Sequence, residues 1–252
     1  MDDNSIQLIE LFHKVAKKGY VEGVGKSWGN IGITFEHEIG KLPDANYTPD
    51  FNDIEIKCSS RFTRYPIYLF TIAFDGPSSK EIYRLTDKYG CSDKDYPDRK
   101  VMFKSVKNEI DYDSDYSFMF EVDKEERKVY LCVYDRFGNL IEKESYVTFD
   151  SLENHLNVKM KKMAYIKASR KKVDDVFYYR YYSIFLYELK SFDKFIYMLK
   201  NGFLNASIIS RIGKSGNDKG KYRNKNIEIS IRKEYIPMLF DCYYQFDYDK
   251  KY

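Results

Sequence analysis

Residues 49–57 read Pro49-Asp50-Phe51-Asn52-Asp53-Ile54-Glu55-Ile56-Lys57, and no other stretch of the chain constrains its chemistry as tightly. From Asp53 to Cys58 polar and apolar residues alternate. Successive side chains of a strand point to opposite faces, so Glu55 and Lys57 are expected on one face and Ile54 and Ile56 on the other. Asp50, just upstream, adds a second acid. Two carboxylates and an ammonium at this spacing suit the hydrolysis of a phosphodiester. That reaction needs a hard cation on oxygen ligands to neutralise phosphate charge and to lower the pKa of a bound water. Asp50 and Glu55 are the candidate metal ligands. Lys57 can lie against the water or the phosphate, where its charge favours hydroxide and stabilises the pentavalent state. The bare spacing is also met by an amphipathic edge strand holding Glu and Lys in solvent.

Upstream, residues 28–40 read Trp28-Gly29-Asn30-Ile31-Gly32-Ile33-Thr34-Phe35-Glu36-His37-Glu38-Ile39-Gly40. This predicts a helix entered through glycines, with Ile33, Phe35 and Ile39 as apolar positions and Gly40 as the stop. Packed beside the strand, such a helix would aim Glu36 at the same site as a third carboxylate.

The combination of Gly32-Ile33-Thr34-Phe35-Glu36 with the 49–57 segment closely resembles the MvaI/BcnI family of type II restriction endonucleases. These enzymes are related to the mismatch-repair nickase MutH within the PD-(D/E)XK nuclease superfamily. The likeness runs on through Tyr83-Arg84, Lys88-Tyr89-Gly90 and Phe149-Asp150-Ser151-Leu152, then into Arg211-Ile212-Gly213, Ser215-Gly216 and Lys219-Gly220-Lys221. It implies an α/β fold, a PD-(D/E)XK core joined to a second, DNA-recognition lobe. The expected division of residues 1–252 is a mainly catalytic lobe to about residue 170 and a mainly recognition lobe over about 171–252. The resemblance also implies a catalytic set of Glu36, Asp50, Glu55 and Lys57 acting on double-stranded DNA with Mg²⁺. Mn²⁺ is expected to substitute, and Ca²⁺ to bind without cleavage. Family members act as monomers that nick one strand and then rebind to cut the other. A DNA methyltransferase in the same cell is the expected counterpart, not a physical partner. The rival readings are a MutH-like nickase awaiting a partner protein and a catalytically silent DNA-binding module.

Composition is compatible with this. The 252 residues are 43% hydrophobic and 17% aromatic, which excludes a disordered chain. A formal charge of only +3 means that any DNA-binding surface must come from local clustering of Lys and Arg. The four cysteines form no CxxC pair and only three histidines are present, so zinc is not expected and reduced thiols in a cytoplasm are. The first residues lack the basic start and apolar core of a signal peptide, and no apolar run reaches the length of a membrane span.

Along the chain, Ile6, Ile9, Phe12 and Val15 behind an Asp2–Ser5 cap predict a helix ending near Gly19. A second strand is expected over residues 67–74. Residues 75–117 read as a long irregular connection with one helix near 80–89, and Asp111, Asp113 and Asp115 as a solvated acidic loop. Residues 128–134 and 140–149 should pair across the turn Asp135–Asn139. Asp150-Ser151-Leu152-Glu153 reads as a cap opening a helix to about Lys161. Strands are expected at 164–168 and 176–182, a helix over 191–200 stopped at Gly202, and strands at 207–212 and 227–231.

Between those last strands, residues 214–225 carry five basic residues against one acid. Glycines allow close backbone approach to a phosphate chain, and the cations can neutralise it. Taken alone the loop also fits a solvated hairpin tip; the family likeness makes it the segment that enters the major groove. Arg211, Lys214, Lys219, Lys221, Arg223, Asn224 and Lys225 are the candidate DNA-binding residues. Relatives carry histidines where Arg223 and Lys225 stand, so the sequence read by this chain need not be theirs. Tyr178-Tyr179-Arg180-Tyr181-Tyr182 could stack on bases, but core and surface packing is the expected use of such a run.

Overall fold

A computed structural model describes residues 1–25, 30–41, 48–60 and 65–250. The glycine-rich entry at Trp28 and Gly29 lies outside the described residues. The first elements are α1 (Asp3–Lys17), β1 (Val21–Glu22), α2 (Ile31–Glu38), β2 (Ile54–Ser60), β3 (Ile67–Ile72) and α3 (Glu81–Tyr89). There follow β4 (Cys91–Ser92), β5 (Lys100–Lys107), β6 (Tyr116–Asp123), β7 (Lys128–Asp135), β8 (Leu140–Glu142), β9 (Tyr146–Thr148) and α4 (Phe149–Lys159). The chain continues through β10 (Lys162–Val173), β11 (Val176–Leu189), α5 (Phe192–Lys200), β12 (Leu204–Ser210), β13 (Asn226–Ile231), α6 (Ile236–Leu239) and β14 (Phe240–Asp247). No helix among the described residues is long and apolar enough to cross a membrane.

These elements form two compact units, each assembled from separate stretches. Unit 1 is Met1–Ile67, Leu156–Ser191 and Ile236–Tyr252; unit 2 is Tyr68–His155 and Phe192–Tyr235. A cut near residue 170 falls inside β10, whose hydrogen bonds to β2 and β11 tie both of its ends into one sheet.

Unit 1 is a sheet in the order β1-β11-β10-β2, with β14 added alongside β11. Asp2 caps α1, its Oδ1 accepting the Ser5 N–H at 2.9 Å. Leu8, Phe12 and Val15 of that helix bury against Ile54 and Ile56 of β2, Ala164 and Ile166 of β10, and Ile184 and Leu186 of β11. The β10–β11 hairpin turns through Asp174 and Asp175, both at positive φ, a mirror-image turn whose twist matches that of paired strands. In the tyrosine run, Tyr179 and Tyr181 are fully in the core, while Arg180 on the other face pairs with Asp249 at 2.8 Å. The run is therefore strand packing. β14 had no counterpart in the sequence reading.

Unit 2 holds a sheet in the order β3-β13-β12-β5-β6-β7-β8, with β4 on β5 and β9 on β7. Residues 75–117 are not an irregular connection. They contain α3 at the expected place, but also β4 and β5, and β5 lies mid-sheet between β12 and β6. Only Met102 is buried along β5, so the strand is held in place by its non-local pairing more than by its own core burial. Asp111 and Asp115 pair with Lys107 and Arg136, as a solvated acidic loop should. β8 and β9 both return along β7 beyond the 135–139 turn. The helix after them starts two residues earlier than expected: Thr148 Oγ1 accepts the Ser151 N–H at 3.2 Å, so Thr148 is the cap instead of Asp150.

Candidate active site

The 49–57 segment places its charges through one tight turn. Phe51 and Ile54 exchange both backbone hydrogen bonds, and Asn52 between them takes φ +51°, a left-handed conformation that Asn tolerates better than most residues. The chain doubles back, and Asp50 Oδ2 accepts the Ile56 N–H at 3.0 Å. Asp53 anchors the turn, receiving Asn4 at 2.8 Å and Lys162 at 2.6 Å. Asp50 is thereby held beside the strand that carries Glu55 and Lys57.

Along β2 the expected alternation holds. Ile54 and Ile56 enter the core, and Glu55 and Lys57 share the other face, where Lys57 Nζ lies 2.6 Å from Glu55 Oε1. Glu55 is nonetheless 2% exposed, far more enclosed than an edge-strand carboxylate in solvent. Burial raises its pKa, the Lys57 charge opposes that, and Asp50 adds to it. Its Oε2 is buried with no hydrogen-bond partner among the described residues.

Glu36 comes from α2, which is held by Phe35 in the core and ends at Gly40 with φ +83°. That turn brings Lys41 back, its N–H on the Glu36 carbonyl at 2.8 Å and its Nζ 3.4 Å from Asp50 Oδ1. Burial first, then the Asp50 charge, raises the Glu36 carboxyl, and Glu55 contributes in the same direction. The Asp50 charge thus raises the cost of ionising both Glu36 and Glu55. Two lysines that the sequence reading missed sit with them: Lys41, and Lys159 at the end of α4, 3.7 Å from Glu55 Oε1. Lys159 lies about a hundred residues from the motif, and only the parallel β2–β10 pairing brings the end of α4 there.

The donor set suits a small hard cation. Asp50 and Glu55 offer carboxylate oxygens, and the unpartnered Glu55 Oε2 is an acceptor in need of a charge. No group of three or more His, Cys, Asp or Glu is set to hold a metal among the described residues. One or two carboxylates are enough for Mg²⁺, which keeps several waters and takes further oxygens from phosphate.

The second set of sequence-derived residues clusters in unit 2, around a cavity of about 710 Å³ lined in part by Arg211, Lys214, Arg223 and Lys225. The loop 214–225 is folded. Ile212 bridges Tyr222, Gly213 bridges Lys219, and residues 216–218 form a 3₁₀ turn. Lys214 is taken up by Asp93 and by Asp95 at 3.0 Å, Lys225 by Glu228 at 2.5 Å, and Arg223 by Asp218 at 3.5 Å. Asn224 Oδ1 accepts from Ser210 Oγ at 2.7 Å. Arg211, Lys219 and Lys221 are exposed and make no ion pair among the described residues. Lys104 on β5 lines the same cavity and had no signal in the sequence beyond its charge.

The chain matches the model of the MvaI/BcnI restriction endonuclease family over residues 9–240. Among solved structures it is similar to a restriction endonuclease MvaI–cognate DNA substrate complex, with a TM-score of 0.87 and 28% identity over 96% of this chain and 98% of that one. It is also similar to restriction endonuclease MvaI in the absence of DNA, with a TM-score of 0.59 and 27% identity over 96% and 97% of the two chains. No curated protein matches the chain. A match across nearly the whole sequence, joined to a cluster of Glu55 and Lys57 on β2 with Asp50 held beside them, means that this chain belongs to the MvaI/BcnI restriction endonuclease family and is a type II site-specific nuclease.

Proposed function

We propose that the chain is a Mg²⁺-dependent endonuclease that cuts double-stranded DNA at one sequence, acting as a monomer that nicks the two strands in turn. The observation that carries this is the buried Glu55 carboxylate, one oxygen on Lys57 and the other without a partner, beside Asp50. Asp50 and Glu55 would hold the metal. Bound there, Mg²⁺ supplies charge neutralisation at the scissile phosphate and acidifies a water. Lys57, oriented by Glu55, holds that water against the phosphorus and offers positive charge to the oxygens of the transition state. Glu36, whose raised pKa favours the protonated form more than an exposed glutamate's does, can take or give a proton at the edge of this group. Mn²⁺ should replace Mg²⁺, and Ca²⁺ should bind without supporting turnover.

In this reading unit 1 is catalytic and unit 2 reads the DNA. Arg223 takes a guanine edge with its planar fork and Asn224 an adenine. Lys219, Lys221 and Arg211 meet the duplex as free cations, while Lys214 and Lys225, tied to acids, hold the loop in shape. One active site per chain requires two visits for a double-strand cut. The enzyme would work in the cytoplasm, its host's DNA protected by a methyltransferase.

Purified protein incubated with supercoiled plasmid and Mg²⁺ tests this. Open circles that convert to linear molecules with uniform ends are expected, without any added protein. Activity only after a partner is supplied would favour the MutH-like nickase, and binding without cutting would favour the silent module.

A further inference from the structure

On one face of the β5, β12 and β13 part of the unit 2 sheet an apolar pair stands beside polar residues. Phe103 on β5 stands directly opposite Ile209 on β12, and residues so paired project to the same face. The neighbouring row on that face is Ser105, Ser207 and Glu228. The reverse face, with Met102, Ile208 and Ile227, is buried and supplies the core. Phe103 is 70% exposed, so its ring adds little to that core.

The ring also lines the 710 Å³ cavity, whose walls bear five cations, among them Lys104 and Arg211, against the two acids Asp93 and Glu228. Both acids are already occupied, by Lys214 and Lys225. The concavity therefore offers an aromatic face inside a net positive, hydrogen-bonding wall. On the major-groove edge of a base pair the only apolar group is the C5 methyl of thymine. The other apolar partner in a duplex is the face of an unstacked base, reached by a side chain that protrudes as a wedge. Phe103 lies within a concavity beside Ile209, which suits a methyl group entering the protein better than a ring leaving it.

We propose that Phe103 reads the C5 methyl of a thymine in the major groove of the bound duplex, which gives this chain one T·A preference in its recognition sequence. The inference rests on the nuclease reading above and adds the chemistry of one base contact to it. Arg211, lining the same cavity, bonds a polar edge or phosphate nearby, and the Phe103–Ile209 row excludes water from the methyl.

The test begins with the wild-type protein, its recognition sequence obtained by sequencing the ends of digested DNA. Binding in Ca²⁺ is then measured for wild type, Phe103→Ala and Phe103→Leu on cognate duplexes in which each thymine is replaced in turn by deoxyuridine, which lacks only the methyl. Wild type should lose about fourfold at one position, the value of about one buried methyl. Phe103→Ala should bind the thymine duplex correspondingly worse and show no further loss at that uracil, and Phe103→Leu should retain part of the discrimination. The inference is overturned by a recognition sequence without thymine, or by a Phe103→Ala protein that keeps the uracil penalty. It is equally overturned by a 2-aminopurine signal of unstacking that only the Phe103 ring produces. A wild-type protein that neither cuts nor selects a sequence would instead bring down the nuclease reading itself, before any variant is made.

Discussion

Replacing Lys57 by Met keeps the length and apolar stem of the side chain and removes its charge. Two consequences are expected, with different signatures. In the reaction, one preorganised charge at the transition state is lost, which costs on the order of 10²–10³ in rate. In the fold, Glu55 is left 2% exposed with its nearest cation, Lys159, at 3.7 Å instead of Lys57 at 2.6 Å. Breaking a buried pair by removing one partner costs about 3–5 kcal/mol, and the remaining lysine places this case near about 3 kcal/mol. That is roughly 6–12 °C in Tm for a chain of this size. The stability deficit should depend on pH, with a definite sign. Glu55 already has its carboxyl raised by burial, and loss of the Lys57 charge raises it further. A group whose folded pKa exceeds its unfolded value contributes stability that is fully present below the unfolded pKa and is lost as pH rises through the folded one. The variant should therefore approach wild-type stability in acid and fall furthest behind above neutrality. Single-turnover cleavage at saturating Mg²⁺ and DNA, together with thermal unfolding from pH 4 to 8, measures both effects. A Lys57→Met protein that cuts at the wild-type rate would refute the catalytic assignment, and a deficit constant across pH would refute the electrostatic one.

Asp50→Ala should abolish cleavage while DNA affinity in Ca²⁺ stays within a few fold, because Ca²⁺ retains Glu55 and the phosphate oxygens; gel-shift and plasmid assays in parallel decide this, and residual cutting near the wild-type rate would remove Asp50 from the metal site. Glu36→Gln should slow the reaction less than Asp50→Ala, and an equally dead protein would make Glu36 a metal ligand. Because burial and mutual repulsion raise the Glu36 and Glu55 carboxyls above their ordinary value of 4.5, protons compete with the cation. Metal affinity measured by calorimetry should climb as pH rises from about 4.5 and level off once both groups are ionised, so a flat profile would count against the ligand assignment. Arg223→Ala should cost about 1–3 kcal/mol at the cognate site and relax one base pair, whereas Lys219→Ala should weaken all sequences alike and lower the salt slope by about one unit. Binding to singly substituted sites at several salt concentrations separates the two.

Much of unit 1 was legible because its determinants are local. The alternation from Asp53 to Cys58 is enough to put Ile54 and Ile56 in the core and Glu55 and Lys57 opposite them, whatever the strand pairs with. The Asp2 cap and the Gly40 stop likewise act within one turn of their helices. The 49–57 motif, joined to Gly32-Ile33-Thr34-Phe35-Glu36, pointed to the family before any fold was visible. What the sequence could not determine is everything that depends on a distant partner. β5 buries only Met102 and exists because β12 and β6 flank it from positions far along the chain. β2 pairs with β10, more than a hundred residues on, and that parallel pairing brings Lys159 to Glu55. The tertiary structure also decided which basic residues are free: Lys214 and Lys225 count as cations in the sequence, but Asp93 and Glu228 neutralise them, while Arg211 and Lys104 keep their charge. Charge is a property of a residue, and a pattern can show it; the availability of that charge belongs to its neighbours in space, which only folding assigns.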